Sequence, residues 1–383
     1  MKVAIVGTGL TKFGEIWNKG LRDLLAEAQI KSLEEANMSE KDIDMIFTGS
    51  MVPGELTGQE HLGGMAAENL NINVPSTRIE GACASGALAI RAGLHAIESG
   101  QAEIVQVNGV EKMTDVSVEQ VTTALMGAGD EEWEEFQGAT FPGLYALMAR
   151  AYMNEFKLSR ETLAKVSVKN HLHGTKNPIA QFQKEISVDD VLNSLMVSDP
   201  LTLLDCSPIS DGAASIILTS EKKAREFSDT PVYIIGSGQA SDTLALSARS
   251  SLTEMKATRI AAEHAFKQAK IERKDIHITE VHDCFSIAEI IAMEGLGYAR
   301  HGEAGKLIEE DQTYFDGSTP INTCGGLKAC GHPIGATGVK QAIEVAHQLQ
   351  SRAHGRQVKG AEIGVTQNVG GTGATVVVNV FKR

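Results

Sequence analysis

A cysteine among small residues is the feature of the sequence that most directly suggests chemistry. Cys83 stands in the segment EGACASGA (80–87), between a strand-like segment (76–79) and a segment rich in Ala, Gly, Leu and Ile (84–99). The second pattern predicts a helix buried on nearly all sides, with Cys83 at its positive end. Such a position lowers the pKa of a thiol from about 8.5 and favours the nucleophilic thiolate. The small neighbours leave room for a substrate, whereas the alternative is a cysteine packed in the core.

Polar or glycine-rich turns follow predicted strands in the second half of the chain. They are VHDCFS at 281–286, CGGLKACGHPIGATG at 324–338 and NVGGTG at 368–373. Because α/β folds place chemistry in loops at the carboxyl ends of strands, we expect these turns to meet. Their His282, Cys284 and His332 would then join Cys83 in a covalent acyl-transfer site.

Neither a metal site nor a phosphate loop is the favoured interpretation of these turns. Cys324, Cys330 and His332 have a spacing that is not typical of zinc sites, and a fourth ligand is not evident. The glycine run at 370–373 precedes a strand rather than a helix, which weakens a phosphate-binding interpretation. We therefore predict no metal.

Composition and charge narrow the classes of function. The 383 residues are 42% hydrophobic and 22% charged, with a formal net charge of -14 at pH 7. This balance is typical of a soluble globular protein and disfavours nucleic acid or a membrane surface as a partner. No apolar run reaches the roughly 18–20 residues of a membrane span, and the first residues predict a strand rather than a targeting segment. Widely spaced cysteines, odd in number, predict reduced thiols and a cytoplasmic location.

The elements that must position these residues alternate between strands and helices. Apolar strands are predicted at 2–6, 43–47 and 103–107, and a helix at 21–36. The segment Gly7-Thr8-Gly9 would close the first strand as a turn. This alternation favours an α/β unit with a largely parallel sheet.

Two halves of the chain resemble each other. Residues 33–48 align without gaps with residues 266–281, and Gly236-Ser237-Gly238 matches the first Gly-Thr-Gly turn. This repeat favours a duplicated fold with a pseudo-twofold axis. After Met113 the composition changes to Met, aromatic and acidic residues, which indicates an insertion between the halves. We predict an N-terminal half, an inserted loop domain and a C-terminal half, at 1–113 with 201–225, at 114–200 and at 229–383.

Together these motifs resemble those of the thiolase superfamily over essentially the whole chain. The GACASG segment, the HDCF turn, the GHPIGATG turn and the terminal glycine turn occur in the family's order. HDCF in place of the commoner Asn-Glu-Ala-Phe resembles the sterol-carrier-protein-type thiolases and, most closely, the archaeal biosynthetic thiolases. The resemblance implies the α/β class, with a thiolase-like duplicated five-layer αβαβα fold and an inserted loop domain.

The resemblance also implies a role for each motif residue. Cys83 would attack an acyl-CoA and form an acyl-enzyme, and His332 would activate it. His332 and His282 would hold the thioester oxygen of a second acetyl-CoA. The backbone amides of Cys83 and Gly370 would form the other oxyanion hole. Fixed donors at these places would stabilise the negative charge of the enolate and of the tetrahedral intermediate.

One position departs from the family pattern. Most thiolases carry a proton-transferring cysteine in a Cys-x-Gly motif near the C-terminus, where this chain has Asn368. An amide cannot act as a base, yet a base is required because the α-proton leaves without decarboxylation. Cys284 is the candidate that the sterol-carrier type suggests, and Cys330 is the second choice.

The function implied by the resemblance is that of an acetyl-CoA C-acetyltransferase. It would condense two acetyl-CoA into acetoacetyl-CoA and CoA for the mevalonate pathway of isoprenoid biosynthesis, with no cofactor beyond these thioesters. A homodimer or homotetramer is expected, with hydroxymethylglutaryl-CoA synthase and a small zinc-ribbon/OB-fold protein as further partners. The alternatives are a decarboxylating ketoacyl synthase, since Cys83, His282 and His332 form a Cys-His-His set, and a non-catalytic scaffold or lipid carrier.

Overall fold

The computed structural model describes residues 2–383, and Met1, with which the predicted N-terminal half begins, lies outside the described residues. The strands, numbered in chain order, are β1 Val3–Leu10, β2 Met45–Gly49, β3 Ser76–Ile79, β4 Ile104–Glu111, β5 Met196–Ser198, β6 Leu201–Thr202, β7 Gly212–Ser220, β8 Val232–Ser241, β9 Ile278–Glu280, β10 Ile363–Gly370 and β11 Thr375–Lys382. The α-helices are α1 Leu21–Ala36, α2 Pro53–Thr57, α3 Leu62–Asn69, α4 Ser85–Glu98, α5 Val118–Met126, α6 Phe141–Phe156, α7 Arg160–Gly174, α8 Val188–Leu192, α9 Ala224–Phe227, α10 Lys256–Ala269, α11 Ser286–Gly295, α12 Ala304–Glu309, α13 Gly326–Cys330 and α14 Ile334–Leu349.

Most of the strands form one large sheet, in the order β3-β2-β4-β7-β1-β8-β11-β10-β9. The run β2-β4-β7-β1 is mirrored by β9-β10-β11-β8, so each half of the chain repeats one strand order. Antiparallel pairing of β1 with β8 joins the halves. Helix α1 packs on the N-terminal strands and α10 on the C-terminal strands, while α4 and α14 contact both sets from between them. The predicted α/β class and thiolase-like layering are confirmed, with the two sets of strands continuous at β1 and β8.

The sheet is less parallel than the sequence pattern predicted. The pairs β2–β3, β2–β4 and β9–β10 are parallel, and the other neighbouring pairs of the large sheet are antiparallel. Residues 371–374 join β10 to β11 as a tight hairpin, and the long insertion lets β7 return antiparallel to β4. A short hairpin connects only antiparallel neighbours, since parallel ones need a crossover. The prediction of a largely parallel sheet was therefore wrong.

The Gly-x-Gly segments lie inside strands rather than in turns. β1 continues through Gly9, and β8 continues through Gly238. A Cβ on Gly9 would lie 2.1 Å from the carbonyl oxygen of Ala28 in α1, and one on Gly238 would lie 1.9 Å from that of Ala261 in α10. The glycines are needed because a helix backbone packs directly on each strand, so the prediction that they close the strands was wrong.

The central helices bring the two halves of the chain together at their N-termini. Helix α4 begins two residues after Cys83, and α14 begins two residues after His332. A Cβ on Gly86 would lie 2.5 Å from the carbonyl oxygen of Gly335, so the first turns of the two helices are in backbone contact. The segments that precede these helices, and with them Cys83 and His332, are therefore brought to the same place.

The segment 114–200 is largely helical and lies against the C-terminal half. Its helices α6 and α7 pack on α11, and α7 also contacts α12 and α13. The boundaries of the three predicted units stay a prediction. None of the helices described between residues 2 and 383 combines the length and the apolar character that a membrane crossing requires.

Candidate active site

Cys83 lies in a 3₁₀ turn, Ala82–Ala84, between β3 and α4. Ala82 adopts the left-handed conformation, with φ 52°, which non-glycine residues rarely adopt. The Ser85 hydroxyl accepts from the N–H of Gly81 at 3.0 Å and donates to the carbonyl oxygen of Ala82 at 2.6 Å. These bonds stabilise a strained backbone next to the cysteine, and such strain is typical of functional sites.

His332 presents an unprotonated ring nitrogen to the site. Its Nδ1 lies 2.6 Å from the Thr337 hydroxyl, and this hydroxyl donates its own proton to the carbonyl oxygen of Pro333 at 3.0 Å. Thr337 therefore accepts from Nδ1–H, which leaves a lone pair on the Nε2 of His332. Burial, together with the nearby Lys340 charge, lowers the pKa of His332 to about 3, so the ring is neutral at physiological pH. A neutral imidazole with a free Nε2 can accept a proton from a thiol.

His282 presents a protonated ring nitrogen instead. The Nδ2 of Asn368 lies 3.1 Å from the His282 Nδ1 and donates to it, so the ring proton is on Nε2. The backbone N–H of His282 donates to the Oε1 of Gln367 at 2.9 Å, which fixes the turn after β9. Burial and the neighbouring His332 hold the pKa of His282 well below its usual value. His282 is therefore a neutral hydrogen-bond donor.

Cys83, His282 and His332 converge on one point. One sulfur or ring-nitrogen atom of each side chain lies within 4.8 Å of the others. The two imidazole rings meet edge to face, with centroids 5.0 Å apart and planes at 85°. A metal ion would need a lone pair from each of the three residues, but the Nε2 of His282 carries a proton. The hydrogen bonds therefore favour nucleophilic and acid–base chemistry over metal coordination.

Burial, and not the helix N-terminus, determines the ionisation of Cys83. Loss of hydration raises the pKa of the Cys83 thiol to about 12, and the Glu111 charge adds to the rise. Hydrogen bonds from the N–H groups of Gly371 and of Cys83 itself oppose the rise without cancelling it. The prediction of a lowered pKa was wrong, because a helix N-terminus supplies only about 1 kcal/mol and the thiolate loses more on leaving water. The thiol must therefore lose its proton as it attacks, with His332 as the acceptor.

Alkylation by iodoacetamide measures this property. We expect the rate constant at Cys83 to rise about tenfold for each unit of pH over roughly pH 7 to 10, because only the thiolate reacts and its fraction grows in this way below the pKa. Peptide mapping separates Cys83 from Cys206, which is also half-buried. A rate that stays constant over this range would mean that the resting enzyme holds a thiolate.

Cys284 lies close to Cys83, in the HDCF turn just before α11. Burial raises the pKa of the Cys284 thiol well above its usual value, a hydrogen bond with Tyr145 lowers it, and the charge of an ionised Cys83 would raise it. The Tyr145 hydroxyl donates its single proton to the carbonyl oxygen of Gly371 at 3.0 Å, so in the resting enzyme it can only accept from the Cys284 S–H. The Tyr145 ring stacks on Phe285 with centroids 4.7 Å apart, which holds the hydroxyl beside Cys284.

Tyr145 is a site residue that the sequence did not reveal. It belongs to α6, a helix of the insertion in which apolar and aromatic residues are common. Tyr152 of the same helix is equally buried but bonds to Glu294, away from the cysteines. Nothing in the local pattern distinguishes the two tyrosines, because only the fold brings Tyr145 to Cys284.

Cys330 lies outside this group. It is fully buried, its sulfur accepts from the Nδ2 of Asn177 at 3.6 Å, and the neighbouring Cys324 thiol lowers its pKa. Lys340 in turn donates to the Cys324 sulfur at 2.9 Å. These contacts form a buried polar cluster of Asn177, Cys324, Cys330 and Lys340. The structure thus brings Cys284, and not Cys330, to Cys83.

The terminal glycine turn brings the backbone of Gly371 to the nucleophile. Gly370 is the last residue of β10 and pairs with Thr375 of β11, whereas Gly371 has φ 61° and begins the hairpin. The N–H of Gly371 lies close enough to the Cys83 sulfur to lower the pKa of the thiol. The oxyanion role of the Gly370 backbone amide stays a prediction.

Asp283 connects the HDCF turn to the segment before His332. Its buried carboxylate accepts from the N–H groups of Leu327 and Lys328, in the first turn of α13, at 2.7 and 3.2 Å. The amide of Asn170, from the insertion, donates to it at 2.7 Å. Burial raises the pKa of Asp283 to about 6. Asp283 thereby fixes the distance between the two turns that carry the histidines.

Comparison with known proteins gives matches along the whole chain. The family model described as "Thiolase, N-terminal domain" matches residues 3–222, and the one described as "Thiolase C-terminal domain-like" matches residues 238–383. The chain is 51% identical over 382 residues to an acetyl-CoA acetyltransferase of Methanothermobacter thermautotrophicus, covering 100% of this chain and 99% of that protein. It is 47% identical over 390 residues to an acetyl-CoA acetyltransferase of Methanocaldococcus jannaschii, covering 99% and 98%. A solved structure described as "Ltp2-ChsH2(DUF35) aldolase" superposes with a TM-score of 0.87 at 23% identity, over 99% of this chain and 97% of that one, which shows a shared fold.

Proposed function

The chain belongs to the thiolase family of acyltransferases, and on that premise we propose that it is an acetyl-CoA C-acetyltransferase that condenses two acetyl-CoA into acetoacetyl-CoA. The observation that carries the proposal is the convergence of Cys83 with a histidine that can accept a proton and another that can donate one. About half of the residues are identical to those of archaeal acetyl-CoA acetyltransferases over nearly the full length. The identity of these relatives supports acetyl-CoA as the substrate.

Acylation begins when the Cys83 thiol gives its proton to the Nε2 of His332. The sulfur attacks the carbonyl carbon of acetyl-CoA, and the N–H groups of Cys83 and of the Gly370-Gly371 turn stabilise the negative charge on the oxygen. The bond to the CoA sulfur then breaks, which leaves an acetyl thioester on Cys83. The departing CoA thiolate takes the proton of Cys284, so His332 stays protonated and Cys284 becomes a thiolate. The imidazolium stabilises this thiolate, as does the Tyr145 hydroxyl once its proton turns from the Gly371 carbonyl oxygen to the sulfur.

A second acetyl-CoA then reacts as the nucleophile. Its thioester oxygen accepts hydrogen bonds from His282 Nε2–H and from protonated His332, which stabilise the enolate. The Cys284 thiolate removes the α-proton, and the enolate carbon attacks the acetyl group on Cys83. The bond to the Cys83 sulfur breaks, acetoacetyl-CoA forms, and Cys83 recovers its proton from His332. All three proton-carrying groups thus return to their starting states.

A decarboxylating ketoacyl synthase is the second enzyme that a Cys-His-His set suggests. Loss of carbon dioxide would generate the carbanion without removal of an α-proton, so that reaction needs no general base. The contact of Cys284 with Tyr145, next to Cys83, favours the non-decarboxylating reaction. The same contacts disfavour a scaffold or lipid carrier, which would not need a second buried thiol beside the first.

The proposal extends to the assembly and setting of the enzyme. Exposed apolar side chains at Leu195, Met196 and Leu203, in and beside the β5–β6 sheet, support a homodimer or homotetramer. The DUF35 component in the description of the solved structure supports a further small protein as a partner, for which we propose the zinc-ribbon/OB-fold type. Hydroxymethylglutaryl-CoA synthase as a second partner and the mevalonate pathway rest on the family resemblance alone. A cytoplasmic location rests on the number and spacing of the cysteines, all five of which are free thiols.

Turnover with acetyl-CoA as the only thioester tests the proposed function. We expect the purified protein to release CoA and form acetoacetyl-CoA, provided that a coupled enzyme removes the product. In the reverse direction it should cleave acetoacetyl-CoA with CoA. Turnover that begins only after malonyl-CoA is added would identify a ketoacyl synthase. No turnover with either thioester would favour the non-catalytic scaffold or lipid carrier.

A further inference from the structure

We propose that Asn368 is a positioning residue that holds His282 in the tautomer with its proton on Nε2, so that His282 can donate to the thioester oxygen. The identity of that acceptor rests on the proposed function, whereas the tautomer depends only on the protein. Asn368, which departs from the Cys-x-Gly pattern, would thus determine which nitrogen of His282 donates a hydrogen bond.

The register of β9 and β10 places Asn368 beside His282. Glu280 pairs with Thr366 in the parallel ladder between these strands. Asn368 lies two residues further along within β10, and His282 lies two residues beyond the end of β9, so the register brings the two residues level with each other. Both side chains are buried, which keeps water from competing for the hydrogen bond between them.

The surroundings of the Asn368 amide favour one orientation. A Cβ added to Gly338 would lie 2.4 Å from the Oδ1 of Asn368 and 2.3 Å from the backbone nitrogen of Ala87. The amide oxygen therefore lies where α4 and α14 cross, near the first turn of α4. The Oδ1 accepts no hydrogen bond there from the described part of the chain, but the backbone N–H groups at a helix N-terminus make this a positive environment. This environment favours the oxygen over the NH₂ group and directs Nδ2 at His282.

An amide NH₂ group donates and cannot accept, so the Nδ1 of His282 must be the acceptor. The Nε2–H of this buried ring has no hydrogen-bond partner among residues 2–383. A buried unpaired donor is destabilising, and a substrate oxygen would satisfy it. His332 has the opposite arrangement, because Thr337 accepts from its Nδ1–H. The partners of the two rings thus assign one histidine to accept a proton and the other to donate a hydrogen bond.

Two substitutions at position 368 separate these effects. Asn368→Leu removes the donor while keeping a similar volume. Asn368→Asp introduces a carboxylate, which accepts from Nδ1–H and leaves the Nε2 of a neutral ring unprotonated. The carboxylate also raises the pKa of His282, and the imidazolium keeps a proton on Nε2. The Asp variant should therefore retain the donor only at lower pH.

Nitrogen-15 NMR of His282 in the full-length protein tests the tautomer without any turnover. We expect a protonated Nε2 and an unprotonated Nδ1 in the wild type, and a protonated Nδ1 in Asn368→Asp. A protonated Nδ1 in the neutral wild-type ring, or an Asp variant with the wild-type pattern, would overturn the inference.

Condensation kinetics test the consequence for the reaction. We expect Asn368→Leu to lower kcat for condensation about 10²-fold, as loss of one oxyanion donor does, while acylation of Cys83 continues and shows that the variant is folded. The condensation rate of Asn368→Asp should fall as pH rises through a range in which the wild-type rate is constant. Asn379→Ala is the matched control, because Asn379 is a buried asparagine bonded to Ser237 in the sheet. Wild-type condensation in Asn368→Leu would refute the inference, whereas a wild-type enzyme that fails to condense would refute only the proposed function.

Discussion

Cys83→Ala should lower kcat/KM for both condensation and thiolysis by at least about 10⁴-fold, as removal of a catalytic nucleophile does. Neither histidine can replace the sulfur as the nucleophile, because His332 serves as the proton acceptor and His282 as a hydrogen-bond donor. Steady-state assays in both directions, with mass spectrometry of the protein, measure the loss. The backbone of the turn should be retained, since Ser85 and not the thiol stabilises it.

Cys206→Ala is the matched control for this experiment. Cys206 is also a half-buried thiol, and its sulfur donates to the carbonyl oxygen of Thr202 rather than facing the histidines. We expect wild-type rates from it. If Cys83→Ala kept more than about a hundredth of the wild-type rate, the covalent route through this sulfur would be untenable.

Cys284→Ala should separate the two halves of the reaction. Acylation of Cys83 should still occur, because His332 can accept and then return the proton, so a burst of CoA release remains visible. Condensation should fall about 10³-fold, which is the contribution of a well-placed general base. Rapid mixing with acetyl-CoA measures the burst, and the steady-state rate measures the condensation.

Cys330→Ala distinguishes this base from the second candidate. Cys330 contacts Cys324 and Asn177 in the buried cluster, so we expect normal acylation and normal condensation from the variant. The opposite pattern, with condensation lost in Cys330→Ala and kept in Cys284→Ala, would identify Cys330 as the general base.

The sequence was enough to identify the residues that meet at the site. Cys83, His282 and His332 each stand in a short motif at the end of a predicted strand, and a duplicated α/β fold has few ways to arrange such ends. Once β9 and β10 pair in parallel, their register brings His282, two residues after β9, level with Asn368 of β10. Local sequence patterns were therefore sufficient where the site residues lie at or just beyond the ends of strands.

The sequence did not determine properties that depend on distant parts of the chain. The pKa of Cys83 is set by how much water the insertion and the C-terminal half exclude, which no local pattern contains. Tyr145 reaches Cys284 across more than a hundred residues of chain. The glycines of β1 and β8 were predicted to form turns. They are needed because the backbones of α1 and α10 pack directly on these strands, and a local sequence pattern does not show this contact.

Mass spectrometry of the protein mixed with acetyl-CoA, with the modified residue mapped by peptide analysis, shows whether the reaction passes through an acyl-enzyme on Cys83. We expect one acetyl group per chain, held as a thioester on Cys83, which disappears when CoA is added. An acetyl group on any other residue, or an unmodified protein that nevertheless turns over, would contradict it.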